Sequence, residues 1–232
     1  MPRQMKKYIV LSVLLILPIA VYVFFSSGVN NFGRLPTINT SVQELVDLKD
    51  HKGNQVQFND QISILCFLGS EIGSHKLNAF NLNQKIYKRF NGFEDFHMVV
   101  LLPETARKQV DTIQRELGGF TDIANWHFVY GSEQTIKEVF NSLNSPYSLD
   151  ETLYTPYAFI IDKDVALRGR KEDKDTDGPL YGYDATSVAV LHHKMVDDVK
   201  VLLAEYRLAL RKNGNGSSRD SYLKMPNKKV SE

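Results

Sequence analysis

The sequence predicts a mixed α/β domain, a sheet flanked by helices, preceded by one N-terminal transmembrane helix. Residues 8–25 form an uncharged apolar run. From about residue 60 onward, short continuous apolar segments alternate with segments of helical periodicity. This alternation ends in a hairpin pattern and a long helical pattern, as expected for a mixed sheet with helices on both faces.

The apolar run, "YIVLSVLLILPIAVYVFF", predicts a membrane anchor. At 1.5 Å per residue it gives about 27 Å of helix, enough for the hydrocarbon core. Arg3, Lys6 and Lys7 precede it, and positive charge before a span keeps the N-terminus in the cytoplasm. Bulky residues follow where a cleavage site needs small ones, so we expect an uncleaved signal anchor rather than a signal peptide. The chain would then sit in an inner membrane with its soluble part in the periplasm.

The remaining boundaries follow from composition. Residues 1–7 are predicted to be cytoplasmic and 8–25 transmembrane. Residues 26–39 are polar with Gly and Pro, which is typical of a linker. The folded domain is expected over residues 40–212. Residues 213–232 contain few apolar side chains and are predicted to be a disordered tail.

Within the domain, continuous apolar runs predict buried strands and periodic segments predict helices. The predicted strands are 62–68, 96–103, 125–131 and 157–162, the last pairing with 165–170 across a turn. The predicted helices are 74–90, 104–117, 132–143 and 194–212, with Ser132 as an N-cap. Residues predicted to face inward are Leu77, Phe80, Ile86, Tyr87, Phe90, Val110, Ile113, Leu117, Val196, Val199, Leu203, Tyr206 and Leu210.

Charge and cysteine content limit the function. The chain has 28 Lys and Arg against 27 Asp and Glu, whereas a nucleic-acid-binding surface requires a basic excess. Cys66 is its one cysteine, so neither an intramolecular disulfide nor dithiol chemistry is available. We expect no nucleic-acid partner.

Four features together resemble the Sco/SenC family of membrane-anchored, thioredoxin-fold proteins that help to assemble the copper centre of cytochrome oxidase. They are the anchor, the strand and turn in "ISILCFLGSEIGSH", the motif "NWHFVYG" before a helix, and "FIIDKD" before an Arg-Gly strand. The resemblance covers residues 40–212. It implies a thioredoxin-like mixed sheet flanked by helices.

The same resemblance implies that the family's site is degenerate in this chain. The family's two cysteines and following proline fall on Ser70, Ser74 and His75, and its histidine ligand falls on Tyr154. Cu(I) prefers thiolates, and serine cannot exchange disulfides. Cys66 lies inside the strand and is expected to be a buried, inert thiol. The chain is therefore predicted to bind no copper by itself and not to be an enzyme.

A second resemblance concerns "YTPYAFIID". Thioredoxins place a cis-proline at the position of Pro156, beside the active-site turn. We expect a cis Thr155–Pro156 bond and a cleft formed by His75, Thr155 and Pro156, in which a partner peptide can pair. The alternative is a trans-proline at the start of a strand.

A calcium site is a further hypothesis. Asp173, Asp175, Asp177 and Asp184 follow the D-x-D-x-D-G template of calcium loops. The alternative is a solvated acidic loop, and no other cofactor is predicted. His192 and His193 are expected to form a surface pair.

Three functions remain open. The first is binding of an unidentified protein partner without redox or copper chemistry. The second is an accessory role in cytochrome oxidase assembly or copper supply. The third is an enzyme that uses Ser70 or Ser74 as nucleophile and His75 as base.

Overall fold

The computed structural model describes residues 3–26, 33–176 and 178–213. The chain divides into two compact units, Met1–Gly33 and Arg34–Glu232. The first contains helix α1, Arg3–Ser26. Among the described residues, no helix meets the length and hydropathy required of a membrane span. Residues 27–32 of the predicted linker and 214–232 of the predicted tail lie outside the described residues.

The second unit begins before the predicted boundary at residue 40. Leu35 is only 4% exposed, and Thr37–Asn39 forms strand β1, which pairs antiparallel with strand β6, Leu167–Arg168. A three-residue strand carries too little periodicity to be recognised in a sequence. Its position depends on pairing with a strand about 130 residues further along the chain.

Within the described residues, the main sheet has seven strands in the order β1-β6-β5-β2-β3-β4, with β9 beside β5. Strands β2, β3 and β4 are parallel, and β5 runs antiparallel to β2. Strands β7 and β8 form a separate hairpin. The bounds are β2 Ile62–Leu68, β3 Phe96–Pro103, β4 Trp126–Gly131, β5 Tyr154–Ile161, β6 Leu167–Arg168, β7 Arg170–Asp173, β8 Gly178–Leu180 and β9 Tyr183–Asp184.

The helices connect these strands. The N-cap prediction for α5 is confirmed, because Ser132 Oγ accepts a hydrogen bond from the Thr135 N–H at 3.0 Å. Helix α2 continues through a π-helical turn, Asn83–Tyr87, and a second π-turn, Leu191–Met195, precedes α7. The bounds are α2 Ile72–Leu82, α3 Lys88–Phe90, α4 Arg107–Gly118, α5 Glu133–Ser142, α6 Val188–Val190 and α7 Val196–Asn213.

Both faces of the sheet carry an apolar core. On one face, α2, α4 and α7 pack against side chains such as Ile64, Met98 and Trp126. On the other, α5 and the segment before β2 pack against Leu65 and Phe159. The central strands are therefore buried on both sides, which explains their uninterrupted apolar sequences. The prediction that Leu77 faces inward is wrong, since 61% of it is exposed. Phe80, Leu203 and Tyr206 are partly buried and pack against the core.

A buried ion cluster joins three distant segments on the first face. The Arg168 guanidinium donates from Nε to the Leu35 carbonyl at 2.9 Å. It also donates to Asp162 Oδ2 at 2.8 Å and to Glu205 Oε2 at 2.6 Å. Leu35 precedes β1, Asp162 follows β5 and Glu205 belongs to α7. Removing one partner of such a buried cluster typically costs about 3–5 kcal/mol.

Candidate functional site

The turn after β2 is held by a close approach of two backbones. Gly69 has φ +70°, and a Cβ at this position would lie 2.7 Å from the Thr152 carbonyl oxygen. The next residue, Ser70, donates its N–H to the same carbonyl at 2.8 Å. Only glycine fits this left-handed conformation and contact without strain. The turn is therefore fastened to the loop before β5.

A glutamine from α4 holds the turn from the other side. Gln109 Nε2 donates to the Ser70 carbonyl at 2.8 Å, and its Oε1 accepts from the Gly73 N–H at 3.2 Å. Gln109 is not among the residues predicted to form the site. Its only signal was a polar side chain near the start of a helix that follows a parallel strand, a position that points toward the neighbouring turn.

The positions that carry the resemblance lie together. Ser70 and Ser74 belong to one turn, in which the Ser74 N–H donates to the Glu71 carbonyl at 3.0 Å. The Tyr154 ring stacks on the His75 ring, with centroids 3.5 Å apart and planes 9° apart. The Tyr154 hydroxyl accepts from Asn78 Nδ2 at 2.9 Å. Burial raises the pKa of Tyr154, so its oxygen is not an anionic ligand at neutral pH.

The loop Asp150–Tyr154 is organised by one carboxylate. Asp150 Oδ1 accepts from the Thr152 N–H at 2.8 Å and from the Tyr154 N–H at 2.9 Å. Burial would raise the pKa of Asp150, but these hydrogen bonds and the nearby His75 lower it overall. Leu153 is held at φ +67°, an uncommon conformation for a bulky residue. The loop is thus fixed against the turn.

The prediction of a cis Thr155–Pro156 bond is wrong, because this bond is trans. Pro156 lies inside β5, where the register with β2 shifts between the Cys66 and Leu68 positions. Proline lacks an N–H and is tolerated at such an irregularity without losing a ladder hydrogen bond. Thr155 is 3% exposed. The residue of β5 that lies beside the turn is Tyr154, whose Cβ would be 3.0 Å from a Cβ on Gly69.

A cleft of about 330 Å³ opens beside Ser70, at the carboxyl ends of β2, β3 and β4. This is the edge of a parallel sheet where α/β proteins usually bind ligands. Its walls are the turn, the residues that follow the three strands and the loop before β5. The lining residues are Ser70, Pro103, Glu104, Thr105, Gly131, Ser132, Glu133, Glu151, Thr152 and Leu153.

The geometry favours neither a reactive thiol at Cys66 nor a serine nucleophile activated by His75. Cys66 is buried, and burial raises its pKa to about 12, which leaves the thiol protonated and unreactive. Among the described hydrogen bonds, none joins His75 to Ser70 or Ser74. The His75 ring is instead stacked on Tyr154.

In the acidic segment predicted to bind calcium, two of the carboxylates form ion pairs with a lysine side chain. Lys194 Nζ lies 2.5 Å from Asp173 Oδ1 and 2.7 Å from Asp175 Oδ2. Asp184 Oδ1 accepts from the Thr186 N–H at 2.8 Å. Asp177 lies outside the described residues. Among those described, no three His, Cys, Asp or Glu residues are grouped to hold a metal ion, and calcium binding stays a prediction.

The order of the strands decides the fold class. A parallel βαβ unit, β2-α2-β3, is followed by the antiparallel strands β5 and β6 and by the closing helix α7, while β4 extends the parallel edge. The fold is thioredoxin-like.

No protein-family model matches the chain, and no curated protein matches it.

The structural neighbours of this thioredoxin-like chain include Sco proteins and thiol-disulfide oxidoreductases at low sequence identity. BsSco, a member of the Sco family of cytochrome c oxidase assembly proteins, is 14% identical with a TM-score of 0.49, and the match covers 74% of this chain and 97% of that one. Copper-bound ScoI of Arabidopsis thaliana is 13% identical with a TM-score of 0.44, covering 69% and 98%. The thioredoxin domain of a Bacteroides vulgatus thiol-disulfide oxidoreductase is 13% identical with a TM-score of 0.41, covering 75% and 97%.

Proposed function

We propose that this protein is a membrane-anchored, periplasmic thioredoxin-like protein that binds a protein partner and performs neither copper nor thiol chemistry by itself. The observation that carries the proposal is the identity and setting of the residues at the three positions where the resemblance places the family's copper ligands. These are Ser70 and Ser74, in the turn after β2, and Tyr154, whose ring stacks on His75. None of these three side chains is a suitable ligand for Cu(I).

Binding is supported by the rigidity of what remains. The turn is held by Ser70 from one side and by Gln109 from the other. A turn fixed in this way loses little conformational entropy when a partner binds. The adjacent cleft of about 330 Å³ supplies a concave surface beside it.

A single substitution in the cleft tests the binding site. Thr105 is exposed and lines the cleft, so Thr105→Arg places a bulky charged side chain there. We expect it to abolish capture of a partner that co-purifies with the detergent-extracted chain. Thr112→Arg is the matched control, because Thr112 is exposed on α4 and does not line the cleft. Equal capture by the two variants would place the binding site elsewhere.

The identity of the captured protein separates the proposed role from its alternative. A subunit of cytochrome oxidase or a copper-carrying protein would indicate an accessory role in oxidase assembly. In that case the missing ligands come from the partner. Any other partner would indicate a function that is separate from copper.

The anchor has its own test. Helix α1 is continuous from Arg3 to Ser26 and covers the whole uncharged run, and its side chains include the exposed Leu11, Leu14 and Leu15. We expect the chain to sediment with membranes, to resist washing with high salt and to be released by detergent. Protease added outside the cytoplasmic membrane should digest the domain. A soluble form that begins near Ser26 would show cleavage instead.

A further inference from the structure

A small hairpin, residues 48–56, covers the outer edge of β4. The His51 N–H donates to the Phe128 carbonyl at 2.9 Å, and the Tyr130 N–H donates to the Lys49 carbonyl at 3.5 Å. The hairpin is therefore an additional antiparallel rung of the sheet, attached by these two backbone hydrogen bonds and by the packing of Leu48 and Val56 against the apolar core. Without it, the backbone groups of residues 128–130 would face solvent as an unpaired strand edge.

Two histidines are in contact beneath this hairpin, and a third, His51, belongs to the hairpin itself. The His97 and His127 rings, on β3 and β4, have centroids 4.9 Å apart. His127 Nδ1 lies 3.2 Å from Asp50 Oδ2 in the hairpin. His127 Nε2 and His51 Nδ1 are both buried and have no hydrogen-bond partner among the described residues. A ring nitrogen that is buried without an acceptor is best left unprotonated, as in a neutral imidazole.

Additional protons are poorly accommodated. His97 Nε2 lies 3.2 Å from the Glu94 carbonyl, so this nitrogen donates there, and His127 donates from Nδ1 to Asp50. A second N–H on His51 would be buried at Nδ1 without an acceptor, which is costly. Two charged rings in contact would also repel each other.

The pKa values of His51 and His97 are both lowered in the closed hairpin. Burial first, and then His127, lowers the pKa of His97, although the hydrogen bond to the Glu94 carbonyl and the charge of Asp95 oppose this. Burial lowers the pKa of His51, with Asp50 and Asp111 opposing it and Lys52 adding to it. Lys163 forms an ion pair with Asp95. Burial would raise the pKa of Asp50, but its hydrogen bonds from Asn54 and His127 lower it overall.

We propose that the hairpin is an acid-released cover, which leaves the β4 edge when His51 and His97 take up protons. Both groups bind protons less readily in the closed state than in the open state. The closed state is therefore fully favoured above about pH 6.5, and opening becomes easier as the pH falls below it. Each proton taken up on opening changes the opening equilibrium by up to about tenfold per pH unit.

Hydrogen exchange of the full chain in detergent tests this inference. Protection factors, corrected for the intrinsic pH dependence of exchange, are compared at pH 7.5 and 5.0. For amides of residues 48–56, we expect a loss of protection at pH 5.0, of up to about tenfold for each proton taken up and each pH unit below about 6.5. Amides of β3, Phe96–Pro103, should stay protected at both pH values. Unchanged protection of the hairpin at pH 5.0 would overturn the proposal.

Two double variants assign the effect to these histidines. His51→Gln with His97→Gln removes the two titrating rings and should abolish the pH dependence. His192→Gln with His193→Gln removes two exposed histidines elsewhere and should leave it unchanged. If the first variant does not fold, an NMR titration of the unmodified chain decides. Hairpin amide signals must then shift at the same pH as the two imidazoles, and different midpoints would overturn the proposal.

Discussion

Replacing Ser70 and Ser74 with cysteine and Tyr154 with histidine is expected to give a chain that binds one equivalent of Cu(I) tightly. The two serines share a turn, and the Tyr154 ring lies against His75 beside Ser74. Two thiolates and one imidazole suit Cu(I), whereas serine and tyrosine oxygens do not. The backbone hydrogen bonds that hold the turn are unaffected by these changes. Competition with a Cu(I) chelator measures the affinity.

Controls separate the ligands from the scaffold. The matched triple variant, Ser70→Ala, Ser74→Ala and Tyr154→Phe, keeps the shape and should not bind. The unmodified chain should bind no more Cu(I) than Cys66→Ala does, and tight stoichiometric binding by it would contradict the proposed function. The two serine-to-cysteine changes alone should give a dithiol that oxidises reversibly. If the first triple variant does not bind, the three positions do not converge.

Gly69→Ala is expected to lower the free energy of unfolding by about 2–4 kcal/mol, because it adds a left-handed alanine and a steric overlap. The added Cβ would lie 2.7 Å from the Thr152 carbonyl oxygen and 3.0 Å from Tyr154 Cβ. Relief of this overlap must move the loop that holds Tyr154 against the turn. Partner binding should therefore weaken together with stability. Chemical denaturation of the detergent-solubilised chain measures the loss of stability.

Gly53→Ala is the control for this change. Gly53 also has a left-handed conformation, φ +85°, but a Cβ there meets nothing within 4 Å. It should lose only the conformational contribution, about 1–2 kcal/mol. The difference between the two variants isolates the close approach at Gly69. Equal losses would mean that the turn and the loop can separate without cost.

Features encoded locally could be predicted from the sequence. Strands β2 and β3 have the predicted bounds because both are central and parallel, and burial on two faces leaves an uninterrupted apolar run. The cap at Ser132 needs only the next few residues. Val110, Ile113 and Leu117 of α4 are buried as their spacing predicts.

Features that depend on distant partners could not be predicted. Strands β1 and β9 are three and two residues long and exist through pairing with β6 and β5. An X-Pro dipeptide permits either peptide isomer, and the surrounding sheet decides between them. The stacking of Tyr154 on His75 joins residues almost 80 positions apart, and no local pattern encodes it. Gln109, which holds the turn after β2, carries no motif of its own.

The ion cluster around Arg168 has a mechanical consequence. A tensile load applied to the domain from its N-terminal side enters the fold at Leu35, whose carbonyl accepts from Arg168. Strand β1 is three residues long and would unzip one rung at a time under such a load. The guanidinium passes the force on to Asp162 and Glu205 together. The load is thus shared between the sheet and α7. We expect the first residues of the domain to detach only when the contacts of Arg168 break.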